Sequence, residues 1–201
     1  MDGWRVVFRA CFPRYCVHCE QEGALLCLQC LADLSFDGPP FAYANPVIRR
    51  LICAWKYDGD GAGLFALSRL LVPRLMPLRL QIRAANIHAI VPVPLSGWKE
   101  RWRGFHQVRD LSRVVGSMLD LPVMDVLERR YGVKAQANLT HEMRGKSLKK
   151  NPMRVRRGCE MPRRILLIDD VETTGATMDA AEEVLKDAGV ECVVRWSLAK
   201  G

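Results

Sequence analysis

Residues 165–177 read ILLIDDVETTGAT, in which four aliphatic residues run into two adjacent acids, Asp169 and Asp170, and then into a short hydroxyl-rich turn. A helical pattern begins directly after it. Backbone N–H groups of Thr173, Thr174, Gly175 and Ala176, with the hydroxyls of Thr173, Thr174 and Thr177, can therefore surround a phosphate at a helix N-terminus, where the dipole also favours an anion. Gly175 permits the close backbone approach. Ligands of open α/β sheets gather beyond the carboxyl ends of strands, which is where this turn must lie. Two carboxylates would weaken a bare phosphate site, so Asp169 and Asp170 ask for a ribose diol or for Mg²⁺ on a pyrophosphate. The same residues also suit an ordinary strand, turn and helix with a capping Asp or Thr.

A second set of reactive side chains stands near the N-terminus. Cys16-x-x-Cys19 and Cys27-x-x-Cys30 form two paired turns, and four thiolates suit tetrahedral Zn²⁺. Their seven-residue separation predicts a compact knuckle rather than a long ribbon, or else four reduced thiols without metal. His18 lies inside the first turn, where it would conflict with the neighbouring ligands. Cys11, Cys53, Cys159 and Cys192 each stand alone and are expected to be bystanders.

Two basic stretches stand apart from these. Val91-Pro92-Val93-Pro94 leads through Ser96-Gly97 to Lys99, Arg101 and Arg103 ahead of another helix, and guanidinium groups there could hold a pyrophosphate through paired oxygens or simply be solvated surface charge. Arg144, Lys146, Lys149, Lys150, Arg154, Arg156 and Arg157 follow one another without an intervening acid. Such a run could cover a reacting centre, track a nucleic-acid backbone, or simply be a soluble basic loop.

The elements that must position these groups alternate. Asn45-Pro46 is a helix start, and Ile48, Leu51, Ile52 and Trp55 follow at helical intervals, with a stop near Asp58-Gly59. Leu64, Leu67, Leu71 and Leu75 predict a helix over 63–75, and Phe105, Val108, Leu111, Val115 and Met118 another that ends before Pro122. Strands are expected at 87–93, 123–127, 164–168 and 192–198, and a further helix at 177–188, stopped by Gly189. Residues 129–164 show no period and read as a long functional loop. Alternation of this kind implies a mainly parallel sheet. Asp37-Gly38-Pro39-Pro40 marks a boundary, so residues 1–38 are expected to form the cysteine module and 39–201 the main domain.

Composition sets the class of partner. Of 201 residues 49% are apolar, enough for a packed core, and 30 Lys+Arg against 22 Asp+Glu give a formal charge of +8 that favours anionic partners. No run approaches the roughly 18 apolar residues of a membrane span, and clustered cysteines point to metal rather than disulfides. A cytoplasmic, reducing location is expected.

Residues 165–177 closely resemble, at all thirteen positions, the phosphoribosyl-pyrophosphate signature of type I phosphoribosyltransferases. The motif VPVPLSGWKERWRGFHQ, the stretch 136–144, this signature and the cysteine pairs together resemble the ComF (competence protein F) family, which includes GntX-type proteins, over nearly the whole chain. The resemblance implies a type I phosphoribosyltransferase-like α/β domain, with a mainly parallel sheet flanked by helices, behind a small N-terminal zinc-binding module. It implies Mg²⁺ with phosphoribosyl pyrophosphate or a related nucleotide, Asp169 and Asp170 on the ribose hydroxyls, and the 173–177 turn on the 5′-phosphate. If turnover is retained, pyrophosphate leaves through an oxocarbenium-like state on an unidentified base, stabilised by carboxylates, Mg²⁺ and basic residues. Family members are natural-transformation factors that help imported single-stranded DNA, so single-stranded DNA and DNA-uptake helicase or processing proteins are the implied partners. His106, Val133, Ser147 and Glu172 depart from residues usual in the family, and Glu172 would add a third acid beside the sugar site. Acceptor bases in phosphoribosyltransferases sit under a hood, for which Phe36, Phe41, Tyr43, Trp55 and Tyr57 are candidates, as they are for plain core.

Overall fold

The computed structural model describes residues 13–33, 38–57, 61–95, 106–130 and 151–201. Helices α1 (Leu28–Asp33), α2 (Pro46–Tyr57), α3 (Ala62–Leu71), α4 (Met76–Ala84), α5 (Gln107–Leu119) and α6 (Ala176–Asp187) accompany strands β1 (Phe41–Ala42), β2 (Ala89–Pro92), β3 (Leu127–Arg129), β4 (Met153–Val155), β5 (Arg164–Glu172) and β6 (Cys192–Lys200). A single 3₁₀ turn, Val72–Arg74, joins α3 to α4.

Four strands form a parallel sheet in the order β1-β6-β5-β2. The central strand β5 is buried on both faces, as parallel strands require. Its alternation sorts the core. Leu166 and Ile168 join Ile90, Trp196 and Leu198 under α2, α3 and α5, while Ile165 and Leu167 join Val91, Val93 and Met153 under Met178, Ala181 and Leu185 of α6. Each fully buried Leu or Ile contributes about 1.5–3 kcal/mol relative to exposure.

Local chemistry explains the helix starts. Asn45 Oδ1 accepts the Val47 amide at 3.0 Å ahead of Pro46, and His106 Nδ1 accepts the Arg109 amide at 3.1 Å. His106 thus caps the start of α5, a place more often held by Ser, Thr, Asp or Asn. Gly63 serves packing instead. A Cβ there would fall inside contact distance of the Trp55 backbone, so α3 and α2 touch main chain to main chain.

Several expectations are corrected. Residues 63–75 are not one helix: α3 stops at Leu71, and α4, whose residues showed no clean period, follows the 3₁₀ turn. Val123 makes an isolated bridge to Ile90, and the strand nearby is Leu127–Arg129 instead. It pairs antiparallel with Met153–Val155, so the stretch 129–164 contains half of a ribbon that three-residue strands made invisible. Two contacts fix the ribbon's end. The Arg130 amide donates to the Pro152 carbonyl at 2.8 Å, and the buried Asn151 donates to the Ala180 carbonyl at 2.9 Å while accepting the Met153 amide. Finally, β5 runs to Glu172, so Asp169 and Asp170 lie on the strand and not in a turn after it.

Candidate ligand cleft and four-cysteine cluster

At the carboxyl ends of β2 and β5 a cleft of about 330 Å³ opens among Val93, Pro94, Leu95, Asp169, Asp170, Thr173 and Thr177, closed by Tyr43, Lys56 and Arg129. The two acids are held by the amides that follow them. Asp170 N–H donates to Asp169 Oδ1 at 2.8 Å, and Val171 N–H donates to Asp170 Oδ1 at 2.7 Å. Thr173 and Thr177 reach the cleft, and Thr174, Gly175 and Ala176 complete the turn beside it, with Gly175 at φ +75°. The Ala176 amide makes a long 3.4 Å bond to Thr174 Oγ1.

Electrostatics are balanced inside the cleft. Lys56 Nζ, from the last turn of α2, stands 2.5 Å from Asp170 Oδ2, with both side chains under one-fifth exposed. Gln107, fully buried at the start of α5, donates to the Lys56 carbonyl at 3.1 Å and so fixes that turn. Burial, and then the neighbouring Asp170 charge, push Asp169 up to about 7; the Asp170 amide and the Lys56 ammonium pull the other way. Arg129 donates through Nε to the Pro94 carbonyl at 2.9 Å. Burial lowers its pKa below the usual guanidinium range, partly offset by the charge of Asp169.

The four sulfurs of Cys16, Cys19, Cys27 and Cys30 lie within 4.8 Å of one another, and those of Cys19 and Cys27 are 3.6 Å apart. Tetrahedral zinc with Zn–S near 2.3 Å would separate ligands by roughly 3.8 Å, so the cluster is compatible with the ion. The first pair sits on a turn closed by Glu20 N–H to the Cys16 carbonyl at 2.9 Å; the second enters α1. Burial opposes a charged Cys16 sulfur, yet backbone donors from Cys19, Cys27 and His18 bring it down to about 6. Burial and the neighbouring thiols raise Cys30. His18 does not collide with the cluster: its Nδ1 is 3.3 Å from Cys30 Sγ, a hydrogen-bond partner of a ligand. Cys16, Leu26 and Cys30 also belong to the core under α2, where Arg50 donates to the Val17 carbonyl at 2.8 Å.

The structure thus gathers Asp169, Asp170, Thr173 and Thr177 in one cleft and the four cysteines in another place. Arg101, Arg103, Lys99, Val133, Ser147, Phe36, Cys11 and the basic residues 144–150 lie outside the described residues. Glu172 does not line the cleft; its carboxylate faces Lys200 Nζ at 3.4 Å and Ser197 Oγ at 3.4 Å. Phe41 and Trp55 are core, Tyr57 is exposed, and of the described aromatic hood candidates Tyr43 alone reaches the cleft. Lys56 and Arg129 escape a reading of the sequence, for no local signal marks them. Each arrives from an element far in sequence from the signature.

No family model matches the chain. Competence protein F of Haemophilus influenzae is 31% identical over 197 residues, covering 94% of this chain and 85% of that protein. Competence protein ComFC of Streptococcus pneumoniae is 30% identical over 160 residues, covering 80% of this chain; the chain spans 66% of the length of that relative. Among solved structures, orotate phosphoribosyltransferase from Aeropyrum pernix is similar over 100% of this chain and 93% of its own, at 15% identity and a TM-score of 0.38. With 31% identity over 94% of this chain and 85% of the Haemophilus relative, the chain belongs to the competence protein F (ComF) family.

Proposed function

We propose that this protein acts in natural transformation in the cytoplasm, and that its cleft binds phosphoribosyl pyrophosphate or a related nucleotide with Mg²⁺ while its basic surface engages single-stranded DNA. One observation carries the ligand reading: twin carboxylates at the end of β5 share a cleft of about 330 Å³ with a threonine turn and two cations. Asp169 and Asp170 would hold the ribose hydroxyls. Thr173 to Thr177 would hold the 5′-phosphate, with a phosphate oxygen replacing the long bond at the Ala176 amide. Arg101, Arg103 and Arg129 would supply positive charge for the pyrophosphate, and Asp169 and Asp170 are the residues that would hold Mg²⁺, which would offset the charge of the leaving group. Zn²⁺ on Cys16, Cys19, Cys27 and Cys30 would be structural, and residues 1–38 and 39–201 are the proposed domains. The names of the two competence relatives support the biological role. Arg154, Arg156 and Arg157, exposed on and beside β4, are the described part of the DNA-facing run.

Thermal unfolding with added phosphoribosyl pyrophosphate, with and without Mg²⁺, tests the reading. A ligand at a hundredfold its Kd stabilises by about 2.7 kcal/mol, and the Asp169→Asn, Asp170→Asn double variant should show no such rise. No rise in the parent protein sinks it. Turnover is a second reading, favoured by the near-neutral pKa of Asp169, which leaves a carboxyl able to exchange a proton at working pH. Pyrophosphate release that depends on Asp169 would establish it.

A further inference from the structure

From Ala62 to Ala84 the chain follows one right-handed path through α3, the 3₁₀ turn and α4, for Leu71, Val72 and Leu75 all keep helical dihedrals. Ala66, Leu67, Leu70, Leu71, Leu75, Leu78 and Ile82 face the core along it. The opposite side of such a path belongs to water and is ordinarily polar. Here it carries Phe65, Val72, Met76 and Leu80, each between 60% and 67% exposed. Steps of seven, four and four residues place them on one stripe. They are four of the seven strongly exposed large apolar side chains among the described residues, so this is a patch and not scatter.

Charge marks the same face. Arg69 falls between Phe65 and Val72, Arg83 lies one turn beyond Leu80, and residues 61–95 contain four arginines and no acid. Arg74 donates to the Leu70 carbonyl and Arg79 to the Met118 carbonyl, so Arg69 and Arg83 are the arginines on the stripe itself. At its end, by the amino end of β2, a cleft of about 340 Å³ lies between α4 and the end of α5. Arg79 and Arg83 line it with Ile82, Ile87 and Leu119, and Asp120 is its one acid.

We propose that this face docks on an anionic lipid bilayer, with the apolar stripe at the acyl boundary and the arginines among the phosphates. Apolar side chains interleaved with arginine and free of acid are what such an interface selects, and long cationic side chains can reach the headgroups from a buried stem. Exposed Pro73, Pro77 and Gln81 flank the stripe, so it is a ridge that rests on a soft surface, not a groove that receives a helix. No described helix is long and apolar enough to cross a membrane. The ligand cleft, at the opposite end of the sheet, stays open.

Co-sedimentation of the full-length, zinc-loaded protein with vesicles decides the matter. Binding is expected to equal parts of phosphatidylglycerol and phosphatidylcholine, to weaken with salt, and to be much weaker on phosphatidylcholine alone. Phe65→Ser, Met76→Ser and Leu80→Ser combined should lower it at least about tenfold, with circular dichroism and zinc content unchanged; Leu80→Ser alone serves if the triple variant misfolds. Arg69→Gln with Arg83→Gln should flatten the salt dependence. Absence of binding, equal binding to both vesicle types, or retention by the stripe variants overturns the proposal. So does light scattering that shows a dimer dissolved by the triple variant, which would assign the stripe to a second copy.

Discussion

The four-cysteine cluster and the ligand cleft both crowd ionisable groups into a small volume, but they neutralise them differently. In the cleft the charge is met from within: Lys56 pairs with Asp170, and Arg129 faces Asp169. In the cluster the four sulfurs within 4.8 Å are met by hydrogen bonds instead, Cys16 by backbone donors from Cys19, Cys27 and His18. The cleft carries its own counter-charges before any ligand arrives, while four thiolates at this spacing would call for an ion such as Zn²⁺ to complete them. A site of the first kind can tune function; on the zinc reading, a site of the second kind would be part of the fold.

Removing the metal should have the largest effect. Structural zinc contributes on the order of 10 kcal/mol to the folding of small modules, so a strong chelator, or Cys16→Ser, should melt residues 13–33. Because Cys16, Leu26 and Cys30 sit in the core under α2, the main unfolding transition should also fall by several degrees. Calorimetry together with zinc analysis checks this. An unchanged transition would mean that the module is only an appendage.

Asp169→Asn comes next and should have the opposite sign. The folded carboxyl titrates near 7 against an ordinary value of 3.8, so its contribution to stability is complete below about pH 4 and is lost as pH rises through 7. At pH 8 the ligand-free variant should therefore be more stable than the parent by on the order of a few kcal/mol, a difference that vanishes towards pH 4. It should also lose its response to phosphoribosyl pyrophosphate. A variant that is destabilised at pH 8 would show that the charge is compensated better than the geometry implies.

Lys56→Met sharpens the contrast from the other side of the pair. Leaving Asp170 without its cation should cost about 2 kcal/mol in denaturant titrations, less than a fully buried break because both side chains keep some access to water. Smallest is Gly175→Ala, where a left-handed φ of +75° implies about 1 kcal/mol, measured by the same titrations.

What could be read from the sequence followed the same division. The cysteine cluster depends on contacts within fifteen residues, and its spacing alone announced it. The turn 173–177 was equally local. Lys56 and Arg129 were not, because their place beside the acids depends on α2 packing under the sheet and on a ribbon only three residues wide. The parallel core was legible in the unbroken aliphatic run 165–168, whereas α4 was hidden by an exposed face that carries Met76 and Leu80 where polar residues would have shown a period.

The clasp between the Arg130 amide and the Pro152 carbonyl, anchored by Asn151 on α6, has a wider meaning. Because Asn151 grips both the ribbon and the carbonyl of Ala180, two elements that share no strand pairing stand or fall by one side chain. Asn151→Ala should therefore loosen the ribbon's end and the face of α6 together, seen as faster amide exchange at Met153 and along α6 in the same variant.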